Sequence, residues 1–125
     1  RLENVLARKG LSSKFFDAIM IDNNGNICDC ARSSLFIRYG STLYTVNNKS
    51  FGIHGVTKKI IVDNIKKLNL TIDYSPLTPN QLEKADEVIV TNSIVGALQV
   101  LSFKNKKWVK GTLANLIRNL LNESN

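Results

Sequence analysis

The residues with the clearest chemical potential lie in the run 52–59, where Gly55-Val56-Thr57 precedes a helical pattern. The pattern predicts a helix that starts at Val56 and has one buried face, with apolar residues at Ile60, Ile61, Ile65 and Leu68. Backbone N–H groups in the first turn of a helix lack acceptors and carry the positive end of the helix dipole. A phosphate group satisfies both, with the Thr57 hydroxyl as a further donor. Taken alone, a glycine before a helix is more often only a permissive turn.

Three other residues, Cys28, Cys30 and His54, belong to types that bind metals. Two cysteines two apart on a strand share one face, but the set lacks a fourth ligand and the usual Cys-x-x-Cys spacing, so no metal site is expected. The same geometry argues against a disulfide between the two cysteines. Reduced thiols are typical of a cytosolic protein, and we expect a cytoplasmic location.

Composition predicts a single soluble domain. The chain has 125 residues, of which 43% are hydrophobic, enough to form a buried core. No apolar stretch approaches the length that spans a bilayer, and no charged-then-apolar leader is present, so no membrane partner is expected. Because the sequence starts at Arg1 and not at a methionine, we expect it to be part of a longer product.

The net charge of +7 and the pI near 9.6 favour anionic partners. However, the lysines occur as scattered pairs, and the pairs Lys58-Lys59 and Lys66-Lys67 fall on the predicted polar side of the helix, where a solvated surface is the simpler interpretation. The aromatic residues do not interleave with the basic ones as a base-stacking surface requires. The sequence therefore predicts no nucleic-acid partner.

The elements that must position these residues alternate without a linker or a repeat. The pattern of Leu2, Val5 and Leu6 suggests the end of a helix. A tight turn at 23–25 joins the first two of the predicted strands, which cover 17–22, 26–29, 35–39, 43–46, 70–74, 87–91 and 97–103. Thr78-Pro79-Asn80-Gln81 predicts a capped short helix to about Ala85, and a closing helix contains 113–121. The fold class is mixed α/β (α+β) with a largely antiparallel or mixed sheet.

Several segments, in order and spacing, resemble a known family. Arg1-Leu2-Glu3-Asn4, the strand 17–22, Ser34-Leu35-Phe36, the run 52–57 and the run 85–93 are together similar to the C-terminal half of the fold-type IV pyridoxal-phosphate enzymes. These are the branched-chain and D-amino acid aminotransferases and the aminodeoxychorismate lyases. The opening Arg-Leu-Glu-Asn and the Thr-Asn-Ser segment near residue 92 resemble the lyases more.

The resemblance implies a C-terminal domain over 1–125 of the D-amino acid aminotransferase-like fold, a mixed sheet or pseudo-barrel flanked by helices, with pyridoxal 5'-phosphate as cofactor. Asp29 falls where the family places a glutamate against the pyridine nitrogen, so it is one methylene shorter. The implied phosphate-binding residues are Val56, Thr57, Asn92 and Ser93. The family's Schiff-base lysine precedes the segment that matches Arg1, so no catalytic residue is assigned within this chain.

The function implied first is a lyase that releases pyruvate from 4-amino-4-deoxychorismate to give 4-aminobenzoate in folate biosynthesis. A branched-chain or D-amino acid aminotransferase of the same fold is the second possibility, and a non-catalytic relative without the lysine is the third. The family also implies a homodimer that acts on a small-molecule substrate. Without that lysine, the fragment alone is expected to be inactive.

Overall fold

The fold consists of two β-sheets and a layer of helices. The computed structural model describes residues 2–8, 15–30, 32–47 and 53–123. Within them, the elements are β1 (Leu2–Arg8), β2 (Phe15–Ile21), β3 (Ile27–Cys30), β4 (Ser34–Tyr39), β5 (Thr42–Thr45), α1 (Ile53–Asn64), β6 (Thr71–Asp73), α2 (Pro79–Glu83), β7 (Glu87–Asn92), β8 (Gly96–Gln99), β9 (Ser102–Phe103), β10 (Lys106–Lys107) and α3 (Leu113–Glu123).

The strands form two five-stranded sheets. The first has the order β10-β9-β1-β2-β3, and its neighbouring strands are antiparallel. The second has the order β6-β5-β4-β7-β8 and is antiparallel except for the parallel pair β5–β6. The expected α+β fold with a mixed sheet is confirmed.

The second sheet is buried on both faces. One face packs on the first sheet through a cluster that includes Val88 and Val90 of β7. The opposite face packs on the helices through a cluster that includes Ile89 of β7, Ile61 of α1 and Ile117 of α3. The alternation along β7 follows from strand geometry, in which successive side chains point to opposite faces. The molecule therefore has three layers, with the second sheet in the middle.

Helix α1 begins three residues earlier than the sequence pattern predicts. The helix starts at Ile53, so Gly55 lies inside its first turn and is not the turn before it. The φ angle of Gly55 is not positive, so this residue has helical dihedrals. A glycine in that conformation continues a helix at a modest cost in stability. The α-helix ends at Asn64, and the predicted stretch to Leu68 is completed by a 3₁₀ turn. Gly52 lies outside the described residues.

The helix predicted from Leu2, Val5 and Leu6 is wrong, because residues 2–8 form strand β1. The strand pairs with β2 on one side and with β9 on the other, for example through Ala7 and Ser102. An apolar spacing over a few residues fits either a helix or a strand, and the available sheet partners decide which one forms.

The single strand predicted over 97–103 is two strands in two sheets. Strand β8 belongs to the second sheet and β9 to the first, so the chain changes sheets at Val100 and Leu101. In contrast, the turn at 23–25 is confirmed, with Gly25 at φ 82°, where an L side chain would be strained. The capping box at Thr78 and Gln81 is also confirmed, and α2 ends at Glu83, two residues before the predicted end.

Candidate functional site

One groove contains four of the five residues predicted to bind the cofactor. It has a volume of about 450 Å³ and lies between the first part of α1, the turn that joins β7 to β8, and α3. The predicted residues that line it are Val56, Thr57, Asn92 and Ser93. Residues that are far apart in sequence are therefore close together in the fold.

The turn between β7 and β8 is shaped by the side chain of Asn92. Its Oδ1 accepts hydrogen bonds from the N–H groups of Ile94, at 2.9 Å, and of Val95, at 2.8 Å. Its Nδ2 donates to the carbonyl of Arg32 at 3.1 Å, which joins this turn to the connection between β3 and β4. Asn92 is buried, and its amide is largely used for this structural purpose. The side chain thereby places the next residue, Ser93, at the exposed tip of the turn.

The beginning of α1 supplies the other wall of the groove. Because the helix begins at Ile53, the N–H groups that lack a helical acceptor belong to its first turn, and Thr57 lies one turn further along. Its side chain is buried and lines the groove. Val56 also lines the groove but is 60% exposed, so the predicted apolar stripe does not include it. The described residues of α1 that line the groove begin at Val56, beyond those first-turn N–H groups, so the Thr57 hydroxyl is the donor that they contribute.

Arg118 of α3 lines the same groove and was not predicted from the sequence. Its Nε donates to the carbonyl of Ala97 at 2.7 Å, and its Nη1 donates to Oδ1 of Asn115. These bonds fix the guanidinium beside β8. A helical period that places leucines on the inner face gives no signal that the arginine between them faces a groove. The groove therefore contains a fixed positive charge in addition to hydroxyl donors.

Asp29, the fifth predicted residue, lies on β3 and does not line this groove. Its Oδ1 accepts from the N–H of Leu35 at 2.8 Å and from its own neighbour Cys30 at 3.1 Å. Its Oδ2 lies 3.9 Å from Nζ of Lys58 on α1. Since Lys58 follows Thr57 directly, Asp29 reaches the same helix turn that forms the groove.

Lys58 contradicts the prediction that both Lys58 and Lys59 lie on a solvated helix face. Lys58 is buried, and its Nζ donates to the carbonyl of Val46 at 2.5 Å. Burial lowers the pKa of Lys58, and the Asp29 carboxylate opposes that shift. The available signal was the helical spacing, because Lys58 lies three residues before Ile61, on the stripe that continues to Ile65.

A second cavity lies elsewhere, between the first sheet and the end of β5, with a volume of about 440 Å³. Cys28 lines it, whereas Cys30 is buried in the cluster between the sheets. Neither of these two cysteines forms a disulfide. The side chain of His54 lies outside the described residues. Across the described part of the chain, no three His, Cys, Asp or Glu side chains are grouped as metal ligands would be.

Comparison with known families settles the family. The model of the family described as "Amino-transferase class IV" matches residues 1–103. The chain belongs to this family. The match includes all five predicted cofactor-binding residues and most of both sheets.

Individual relatives of this class IV chain have different names. It is 22% identical over 113 residues to a probable branched-chain-amino-acid aminotransferase of Aquifex aeolicus, covering 90% of this chain and 36% of the relative. It is 26% identical over 103 residues to the aminodeoxychorismate lyase of Bacillus subtilis, covering 82% of this chain and 34% of the relative. The class IV chain thus spans about a third of the length of the curated relatives it matches.

Solved structures of class IV proteins share the fold. An aminotransferase from Brucella abortus, whose crystal structure was determined with the cofactor PLP bound, superposes with a TM-score of 0.75 at 20% identity. The superposition covers 86% of this chain and 39% of that one. Among the helices described here, none has the length and apolar character needed to cross a membrane.

Proposed function

We propose that this chain is the C-terminal cofactor-binding domain of a longer pyridoxal-phosphate enzyme, and that residues 1–125 form a single domain of it. The observation that carries the proposal is the convergence of Val56, Thr57, Asn92 and Ser93 on one groove, with Asp29 held against the next residue of the same helix. Membership of the class IV family supports the same conclusion.

The residues present fit the two polar ends of pyridoxal phosphate. The phosphate is a dianion, and the groove offers the Thr57 and Ser93 hydroxyls and the Arg118 guanidinium. The pyridine nitrogen needs an anionic acceptor, and Asp29 is a carboxylate held by backbone N–H groups and by Lys58. When bound, the cofactor supplies an electron sink for bonds broken at the substrate carbon.

The chain's own residues then bind the cofactor and orient it. Ser93 and Thr57 hold the phosphate and so fix the ring's position, while Asn92 keeps the turn that carries Ser93 in shape. Asp29 keeps a proton on the ring nitrogen, because an ionised carboxylate favours the protonated form of a base beside it. The lysine that carries the cofactor is proposed to precede Arg1 in the full-length protein.

We propose that the reaction is the release of pyruvate from 4-amino-4-deoxychorismate, by a homodimer in the cytoplasm. The opening Arg1-Leu2-Glu3-Asn4 and the Thr91-Asn92-Ser93 segment support a lyase, as does the similarity to the Bacillus subtilis lyase. An aminotransferase is the second candidate, because the Aquifex aeolicus relative covers more of the chain.

The two candidates differ in the product that the full-length protein forms. With pyridoxal phosphate and 4-amino-4-deoxychorismate, a lyase forms pyruvate and 4-aminobenzoate in equal amounts without a 2-oxo acid. An aminotransferase consumes a branched-chain or D-amino acid only when 2-oxoglutarate is added. If the protein takes up the cofactor but gives neither product, both assignments fail and the binding role alone remains.

A matched pair of variants tests the groove itself. Ser93→Ala removes a hydroxyl that the proposal places on the phosphate, whereas Ser102→Ala removes a hydroxyl from β9 of the first sheet. We expect the first variant to weaken cofactor binding and the second to leave it unchanged. Equal affinities in the two variants would remove Ser93 from the proposed phosphate site.

A further inference from the structure

We propose that Lys58 is a positioning residue for Asp29, and that this pair ties the ring end of the cofactor site to the helix that forms its phosphate end. The inference rests on the proposed function, because it takes Asp29 as the partner of the pyridine nitrogen. It adds a residue that neither the family resemblance nor the motif in 52–57 assigns.

The Asp29 carboxylate is held from two sides. One oxygen accepts from the N–H groups of Leu35 and Cys30, at 2.8 and 3.1 Å. The other oxygen faces Nζ of Lys58 at 3.9 Å. With one oxygen held by N–H groups of β3 and β4, the carboxylate cannot turn about its last bond without losing those bonds, so the second oxygen stays directed toward Lys58.

Lys58 is itself fixed, and so it can hold a partner. Its Nζ donates to the carbonyl of Val46 at 2.5 Å, and its side chain is 8% exposed, against 15% for Asp29. A charged group that is so little exposed to solvent is stable only when polar partners lie in defined positions around it. Desolvation lowers the pKa of Lys58, and the coulombic attraction of Asp29 raises it, so the Asp29 carboxylate favours the ionised form of the lysine.

The helical position of Lys58 gives the pair a further consequence. Lys58 follows Thr57, and consecutive residues of an α-helix differ by about 1.5 Å along the axis. Any movement of this turn of α1 therefore shifts the Thr57 hydroxyl, at the phosphate end, together with the ammonium that faces Asp29. Helix α1 thus links the phosphate end to the carboxylate on β3.

The next residue provides a matched control. Lys59 pairs with Asp63 at 2.9 Å on the same helix, but the two side chains are 76% and 54% exposed. The distance is shorter than that between Lys58 and Asp29, yet exposed pairs contribute little because water screens them. Burial, and not distance, is what distinguishes the positioning lysine from its neighbour.

The test measures cofactor affinity in the full-length protein. Two ligands are compared: pyridoxal phosphate, and its 1-deaza analogue, in which carbon replaces the ring nitrogen. We expect Lys58→Met to weaken the binding of pyridoxal phosphate about tenfold, within the range of coupling between contacting charged groups. The analogue cannot bond to Asp29 through the missing nitrogen, so its affinity is expected to stay the same. Lys58→Arg and Lys59→Met should both resemble the parent.

Each other result overturns the inference. Equal weakening of both ligands assigns Lys58 a general structural role, and unchanged affinity for both removes it from the site. A parent protein that binds neither ligand refutes the proposed function, and the inference falls with it. If Lys58→Met does not fold, Lys58→Gln removes the charge but keeps a donor for the Val46 carbonyl, and the same selective loss is expected.

Discussion

The two ends of the proposed cofactor site are built in different ways. The phosphate end consists of short side chains on a tight turn and on the second turn of a helix, at Ser93 and Thr57. The ring end consists of a carboxylate on a strand and a buried lysine on a helix, Asp29 and Lys58. The first depends on local backbone shape, and the second depends on two distant elements packing together. We therefore expect changes at the ring end to cost more stability, and changes at the phosphate tip to alter affinity alone.

The largest expected effect is that of Asp29→Ala on stability. The substitution leaves Lys58 as a buried charge without this partner and removes the acceptor of the Leu35 N–H. Breaking a partly solvated pair of this kind should lower the free energy of unfolding by about 2–3 kcal/mol. Urea denaturation of the parent and the variant measures it.

The control for Asp29→Ala is Asp63→Ala on the exposed pair with Lys59. That change should alter the free energy of unfolding by less than about 0.5 kcal/mol. If the two aspartate variants lose the same stability, the ring end is no more dependent on buried charge than the surface of α1.

A smaller loss is expected for Asn92→Ala, which removes three hydrogen bonds between the turn and its surroundings. The acceptor of the Ile94 and Val95 N–H groups is lost, as is the donor to the Arg32 carbonyl. Because residues of this turn are exposed and water can replace part of what is lost, each bond counts at the low end of its usual net value, and the free energy of unfolding should fall by about 1–2 kcal/mol. Thermal and urea unfolding check this.

Asn92→Asp separates the two contributions. The carboxylate keeps the acceptor for Ile94 and Val95, loses the donor to Arg32 and places a negative oxygen opposite that carbonyl. It should be more stable than Asn92→Ala. If Asn92→Asp is as unstable as Asn92→Ala, the bond to Arg32 and not the turn carries the effect.

Lys58 at the ring end should make a smaller contribution, which appears in the pH dependence of stability. Since burial lowers the pKa of Lys58, the folded protein releases this proton at lower pH than the unfolded chain, which then binds more protons. Stability from this group therefore rises with pH, up to the ordinary lysine pKa of about 10.4. The difference in free energy of unfolding between parent and Lys58→Met, followed by urea denaturation across that alkaline range, should show this slope. A flat difference would mean that the pKa is not lowered.

The smallest expected change in stability is that of Ser93→Ala. Ser93 is exposed at the tip of the turn, so the free energy of unfolding should change by less than about 0.5 kcal/mol. Affinity for pyridoxal phosphate should nevertheless fall, which isothermal titration detects. A large loss of stability with unchanged affinity would reverse the contrast between the two ends.

The contrast between local backbone shape and contacts of distant elements also explains which features of the fold the sequence predicts. The capping box at Thr78, the turn at Gly25 and most strands follow from local patterns, and the structure confirms them. The residues proposed for the phosphate end follow from the helix pattern at Thr57 and from the family resemblance at Asn92 and Ser93. The binding roles of these residues stay predictions.

The errors occur where tertiary contacts decide the structure. Strand β1 follows from its two sheet partners, and the buried state of Lys58 follows from Asp29 and Val46, which belong to other elements. Neither partner set is present in a local window of sequence. The first turn of α1 was missed for a related reason, since Gly55 permits both a turn and a helix.

The pairing of Ala7 with Ser102 has a consequence for the order of folding. Strand β1 lies in the middle of the first sheet. Its neighbour on one side, β9, comes later in the chain than all five strands of the second sheet. Contacts between residues so distant in sequence form slowly, because the loop must close before the contact contributes. During synthesis, the second sheet and α1 can therefore associate before β9 is available. Until β9 is synthesised, one edge of β1 has no partner strand.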